Sequence, residues 1–220
     1  MKTRVLTILY FLTGIMFILF ENNSSEPVQF IFKALIIPWL IAVLLINLKP
    51  FENRINTLVL MGLIFSWAGD MVLQFTFVPG LILFLLAHLM YLAAFFMTPG
   101  KSTIFTQRIG LLIPLTLYGA GLCWYLYGDL GDMRLPVFVY AAVILLMLTG
   151  ALNRFEKVNL RSYRLVLAGA ILFVLSDSAI AINRFTWDFD YSGFVIMSTY
   201  IAAQYLITTG YIRQFTDRVR

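Results

Sequence analysis

The chain has one cysteine and one histidine in 220 residues, and only 12% of it is charged. A single thiol, Cys123, excludes an internal disulfide, and one Cys with one His falls short of the usual zinc ligand set. Cys123 sits in an apolar stretch and reads as a small core residue. No metal or cofactor is expected. The shortage of charge excludes an ordinary soluble domain, in which about a quarter of residues are charged. Familiar site signatures are missing as well: there is no Gly-rich phosphate loop, no His-Glu-x-x-His pattern and no Gly-x-Ser-x-Gly elbow. A Ser-His-Asp triad would have to use His88, and no serine stands out as its nucleophile.

What is present is hydrocarbon. The chain is 61% hydrophobic, with a mean hydropathy of +0.88, which is a membrane composition. A span needs roughly 20 apolar residues. Runs of that kind, separated by short polar breaks, predict helices at 5–20, 28–47, 56–75, 80–98, 108–126, 135–150, 163–184 and 191–212. Hydrocarbon leaves a free backbone unsatisfied, so spans of this length are helices. A β-barrel would show alternating segments of about 10 residues, which are absent. The expected fold is an all-α, polytopic membrane helical bundle of about eight transmembrane helices, forming a single transmembrane domain over 1–220.

Charge placement supports that count. One side of the bundle collects Lys2, Arg4, Lys49, Arg54, Lys101, Arg108, Arg154, Lys157, Arg161, Arg164, Arg213, Arg218 and Arg220, which are 13 of the 16 basic residues. The other side collects Glu21, Glu26, Asp129, Asp132, Asp188 and Asp190, with Arg134 and Arg184. Basic connections face the cytoplasm, so the expectation is an integral protein of the cell (inner) membrane with both termini cytoplasmic. The net charge of +5 is dispersed over helix ends, which excludes a nucleic-acid groove. Lys2 and Arg4 before the apolar run Val5 to Phe20 resemble a signal peptide. The polar Glu21-Asn22-Asn23-Ser24 that follows offers no small-residue cleavage site, so a retained first helix is expected.

A short list of polar groups remains inside the spans: Lys33, Asp70, His88 and Asp177, joined by Tyr200 and Gln204 in the last helix. An ionisable residue there costs about 2.5–3.5 kcal/mol and usually faces the bundle interior. At about 1.5 Å of rise per residue, Asp70 and Asp177 each lie ~20 Å from the cytoplasmic entry of their helices. That is the outer half of a core about 30 Å thick. His88 and Tyr200 fall at a similar level, with Lys33 shallower. Gln204 follows Tyr200 by four residues, and Tyr91 follows His88 by three, so each pair shares a helix face. The six residues can line one cavity open to the non-cytoplasmic side. Each also has a structural reading: an Asp as partner of Lys33 or His88, a satisfied core His, Tyr200 and Gln204 as helix-bridging donors, and Lys33 snorkelling to the interface. A small residue followed by Asp recurs in Trp67-Ala68-Gly69-Asp70-Met71 and Val174-Leu175-Ser176-Asp177-Ser178. This echo is compatible with a parallel 4+4 repeat.

At these residues the chain resembles the YhhN family of integral membrane proteins, whose characterised members are lysoplasmalogenases. The matching segments are Trp67-Ala68-Gly69-Asp70-Met71-Val72-Leu73, Phe84-Leu85-Leu86-Ala87-His88-Leu89-Met90-Tyr91, Gly169 to Ser178 running on to Ala181-Ile182-Asn183-Arg184-Phe185, and Thr199-Tyr200-Ile201-Ala202-Ala203-Gln204-Tyr205-Leu206-Ile207. Lys33 with Pro38 resembles the family's lysine–proline stretch at a wider spacing. The resemblance implies hydrolysis of the vinyl ether bond of lysoplasmalogen to a fatty aldehyde and a glycerophospho-alcohol. It also implies that Asp70 and Asp177 correspond to the family's proposed catalytic pair. The implied partners are a lysophospholipid substrate and the surrounding membrane lipids.

Two carboxyls suit that reaction. A vinyl ether hydrolyses by protonation at carbon, giving an oxocarbenium ion that water attacks, in parallel with glycoside hydrolysis. One Asp would act as acid and the other as base, while Lys33, His88, Tyr200 and Gln204 hold the substrate. Paired intramembrane carboxylates also suit a small-solute or proton-coupled transporter, and a hydrolase of another lipid would differ only in pocket shape.

Overall fold

The computed structural model describes residues 1–20, 26–101 and 109–216. Glu21, Arg108, Arg218 and Arg220, and with Arg108 the expected start of the fifth helix, lie outside the described residues. Among the described residues there is no strand. The helices are α1 (Lys2–Phe20), α2 (Glu26–Asn47), α3 (Arg54–Leu73), α4 (Phe77–Phe96), α5 (Leu112–Leu126), α6 (Arg134–Leu152), α7 (Leu160–Phe185) and α8 (Ser192–Thr216), with three single-turn 3-10 segments between them. Among the described residues, seven helices are long and apolar enough to cross a membrane. α8 is 25 residues long but more polar, and its buried positions include Gln204, Thr208 and Gln214. The bundle is thus an all-helical integral membrane architecture of the expected kind.

Local sequence sets where helices begin. Asn53 precedes α3 in an extended conformation, and its side chain accepts the Ile55 N–H at 2.9 Å. Asn159 does the same for α7, accepting the Ser162 N–H at 2.8 Å. An Asn cap of this kind stabilises a helix by about 1 kcal/mol.

The chain divides into two compact units, Met1–Ala94 and Phe95–Arg220. In the first, α2 packs on α1 and α3. Aromatic rings of α4 rest on glycines of α3: a Cβ at Gly62 would lie 2.6 Å from the Tyr91 ring, and one at Gly69 would lie 2.8 Å from the Phe84 ring. α2 carries Pro38 in its interior. Proline has no N–H, so the Ala34 carbonyl one turn earlier loses its helical donor. The indole Nε1 of Trp67 on α3 donates to that carbonyl at 2.9 Å. A neighbouring helix therefore replaces the bond that Pro38 removes, in a medium with no water to do so.

In the second unit, α7 and α8 form the most extensive helix pair. Glycines bring their backbones together. A Cβ at Gly169 would meet the Ala203 carbonyl oxygen at 2.8 Å, and one at Gly210 would meet the Val166 nitrogen at 2.9 Å. Close approach through small residues is the general device of helix packing in lipid. Ser176 Oγ then reaches across to donate to the Ile196 carbonyl at 3.0 Å.

Trp67→Phe should lower the thermal midpoint of the detergent-purified protein by the equivalent of about 1–3 kcal/mol, because the Ala34 carbonyl is left without a donor in an apolar medium. In a Pro38→Ala background the residue-38 N–H supplies that bond, and the same substitution should cost much less. Equal losses in both backgrounds would refute the replacement.

Candidate active site

Asp177 lies in the middle of α7, and its surroundings come from the two preceding helices. The Tyr140 hydroxyl of α6 donates to Asp177 Oδ2 at 2.5 Å. The Tyr118 hydroxyl of α5 donates to the adjacent Ser178 Oγ at 2.8 Å, and Ser178 Oγ donates to the Val174 carbonyl at 2.7 Å. These polar groups border a cavity of ≈ 40 Å³ whose other walls are Leu122, Cys123, Ala141, Ile144 and neighbouring apolar side chains. A cavity holds a water if it offers about 10–15 Å³ and two to four polar partners. The space beside Asp177 is large enough for one water, and Tyr118, Tyr140, Asp177 and Ser178 are among the residues that line it.

Asp70 has a different setting. It is 3% exposed on α3, one turn after the fully buried Ser66 and one turn before Gln74. The Gln74 amide donates back to the Asp70 carbonyl at 3.2 Å. Ser66, Asp70 and Gln74 thus form a polar stripe at four-residue spacing along one helix face. At its end, Gln74 and Phe75 join Pro27, Gln29, Phe30 and Ile31 around a cleft of ≈ 630 Å³. That cleft is roomy and mixed in polarity, unlike the small cavity at Asp177.

On α4, His88 is fully buried and its Nδ1 lies 2.6 Å from the Phe84 carbonyl oxygen. A carbonyl only accepts, so Nδ1 carries a proton, and in the neutral ring Nε2 holds the lone pair. Phe84 is the residue whose ring covers Gly69, so the turn that orients His88 also packs on the residue before Asp70. Lys33 on α2 turns toward α1, with its ammonium 5.6 Å from the centroid of the Phe17 ring. On α8, the expected face-sharing pair is together: the Gln204 amide reaches the Tyr200 hydroxyl at 3.4 Å, and the Tyr200 ring packs edge-on against Phe173 of α7 at 5.5 Å.

The sequence model of the YhhN family matches residues 28–211. This chain belongs to the YhhN family. Curated relatives include "Lysoplasmalogenase TMEM86A" of Bos taurus, 38% identical over 160 residues covering 69% of this chain and 63% of that protein. The Homo sapiens protein of the same name is 36% identical over 166 residues, with the same two coverages. "Lysoplasmalogenase" of Mycobacterium tuberculosis is 31% identical over 158 residues, covering 68% of this chain and 58% of the relative. The match therefore spans a little under two thirds of the length of these relatives. No solved structure matches.

All six polar residues singled out in the sequence fall inside the family match, and so do Tyr118, Tyr140 and Ser178, which sequence reading passed over. A tyrosine in an apolar run reads as an interfacial aromatic. Only the packing of α5 and α6 against α7 turns Tyr118 and Tyr140 into partners of the segment around Asp177.

Removing the Tyr140 hydroxyl leaves the Asp177 carboxylate short of a donor inside the membrane. Tyr140→Phe should destabilise the protein by about 1–3 kcal/mol in thermal unfolding. Tyr125→Phe, on the exposed face of α5, should stay close to wild type. Matching midpoints for the two variants would show that the bond to Asp177 does not matter.

Proposed function

We propose that this YhhN-family protein is a membrane-embedded lipid hydrolase that cleaves the vinyl ether bond of lysoplasmalogen, with Asp70 and Asp177 as its acid and base. The similarity to curated lysoplasmalogenases supports the substrate class. The single structural observation that carries the reading is the water-sized cavity at Asp177, bounded by Tyr140 and Ser178 and otherwise apolar.

The chemistry sets what each group does. Protonation of the outer vinyl carbon converts the carbon–carbon double bond into an oxocarbenium ion. Water adds to the carbon bonded to oxygen and loses a proton, giving a hemiacetal. The hemiacetal collapses to a fatty aldehyde and the glycerophospho-alcohol. One proton enters at carbon, one leaves the attacking water, and the net change is the addition of water. Asp177 is the group with room for a water at its carboxylate, so it orients that water and takes its proton. Tyr140 holds the carboxylate in place for this. Asp70 supplies the proton to carbon. Lys33, His88, Tyr200 and Gln204 are the residues assigned to substrate binding. General acid–base steps of this kind contribute roughly 10²–10⁴-fold each.

We assign the basic connections to the cytoplasm of the cell membrane. The α2–α3 and α6–α7 connections carry Lys49, Arg54, Arg154 and Lys157, while the α5–α6 and α7–α8 connections carry Asp129, Asp132, Asp188 and Asp190.

Purified protein in detergent should release aldehyde from lysoplasmenylethanolamine. Asp70→Asn and Asp177→Asn should each lower that rate by roughly 10²-fold or more with the fold retained. Wild-type rates in either variant would remove that aspartate from the mechanism. A folded wild type that releases no aldehyde but moves solute in sealed vesicles would establish a transporter instead.

A further inference from the structure

Arg154, in the turn between α6 and α7, has no exposed surface and is the largest fully buried side chain among the described residues. Its Nη2 donates to Ser162 Oγ at 3.1 Å and to Gln214 Oε1 at 2.9 Å. Both acceptors are neutral. Its Nε and Nη1 are buried and donate to nothing among the described residues. The Phe95 and Tyr211 rings lie 5.5 and 5.8 Å from the guanidinium carbon, which offsets part of the charge but accepts none of the remaining N–H protons. Burial lowers the pKa of Arg154 to about 10, with the Tyr211 phenol acting in the opposite direction, so it stays cationic at neutral pH.

A second cation sits in the same turn. Lys157 is 8% exposed, and its backbone N–H donates to the Arg154 carbonyl at 3.1 Å. Gly100 fixes its stem. That glycine has φ +131°, and a Cβ there would meet Lys157 Cγ at 2.8 Å. Among the described residues, neither Arg154 nor Lys157 is ion-paired with a carboxylate. The acidic residue of the turn, Glu156, is exposed to solvent. Arg161 and Arg164 follow in the first turns of α7, both exposed.

A buried charge without a counter-charge costs several kcal/mol, and an arginine cannot relieve that cost by giving up its proton. Ring faces and two neutral oxygens suffice for a structural cross-link between α7 and α8. They leave spare donors and two positive charges that such a cross-link does not use. A tetrahedral oxyanion supplies what is missing, being charged and able to accept from several N–H groups at once. Helix ends bearing basic side chains lie at the depth of lipid head groups, where phosphodiesters are the abundant anion.

We propose that the α6–α7 turn is a phosphate-binding site, with Arg154 at its floor and Lys157 at its mouth, filled by the phosphate of an anionic lipid or by free phosphate. It is independent of the reaction at Asp177. Occupancy neutralises the guanidinium that already joins Ser162 of α7 to Gln214 of α8.

The test is the thermal midpoint of the full chain in two settings. Inorganic phosphate is titrated against chloride at constant ionic strength in detergent, and nanodiscs of phosphatidylcholine are compared with and without phosphatidylglycerol. A saturable rise with inorganic phosphate supports the site and assigns it to the free anion. A rise confined to phosphatidylglycerol supports it and assigns it to the head group. Lys157→Met should weaken the response about tenfold, the worth of one charge-assisted hydrogen bond, and Gly100→Ala, which displaces the same ammonium, should weaken it too. Arg154→Lys should abolish it where the variant folds. The control is Arg161→Gln, an exposed charge on the same end of α7, which should keep the wild-type response. No rise in either setting would overturn the proposal. So would equal losses in Lys157→Met and Arg161→Gln, which would mean general attraction to a basic surface.

Discussion

Hydrocarbon gives a polar group no partner, and the organisation of this chain follows from that constraint. The carbonyl that Pro38 strips of its donor is met by the Trp67 indole. The Asp177 carboxylate is met by Tyr140, and Ser178 by Tyr118. Ser176 finds the Ile196 carbonyl on α8. In each case the partner comes from another helix, so these bonds fix which helices are neighbours as well as satisfying the group. Glycines do the complementary task. Gly169 and Gly210 let α7 and α8 approach until backbone meets backbone, and Gly62 and Gly69 receive rings from α4.

The two aspartates occupy unlike surroundings, and the roles proposed for them follow that difference. Asp177 sits against a small cavity with several oxygens and apolar walls, which suits holding one water against a reactive carbon. Asp70 lies within a polar stripe that leads along α3 to a wider cleft.

Hydrophobic run length made the eight helices legible, because a span must be long and apolar. The starts of α3 and α7, expected at 56 and 163, lie two and three residues earlier, where Asn53 and Asn159 cap them. α8 is the partial exception. Its buried Gln204, Thr208 and Gln214 lower its hydropathy while serving the packing against α7, and length alone marks it as a span. Asp70, His88 and Asp177 stood out in the sequence because ionisable groups in spans are costly. Their partners did not. Tyr118 and Tyr140 look like any aromatic in an apolar run until α5 and α6 are seen against α7. In the sequence Arg154 counts as one more topology charge, since a basic residue between spans is usually solvated. Only burial distinguishes it from Arg161 and Arg164 a few residues on.

The proposed reaction is protonation of a vinyl carbon followed by attack of water. Hydrolysis of lysoplasmenylethanolamine by the purified protein in heavy water, quenched early and read by mass spectrometry, tests this most directly. The expected product is an aldehyde carrying one deuterium on the carbon next to its carbonyl, where the acid delivered a solvent-derived proton. Aldehyde released without that deuterium would contradict it.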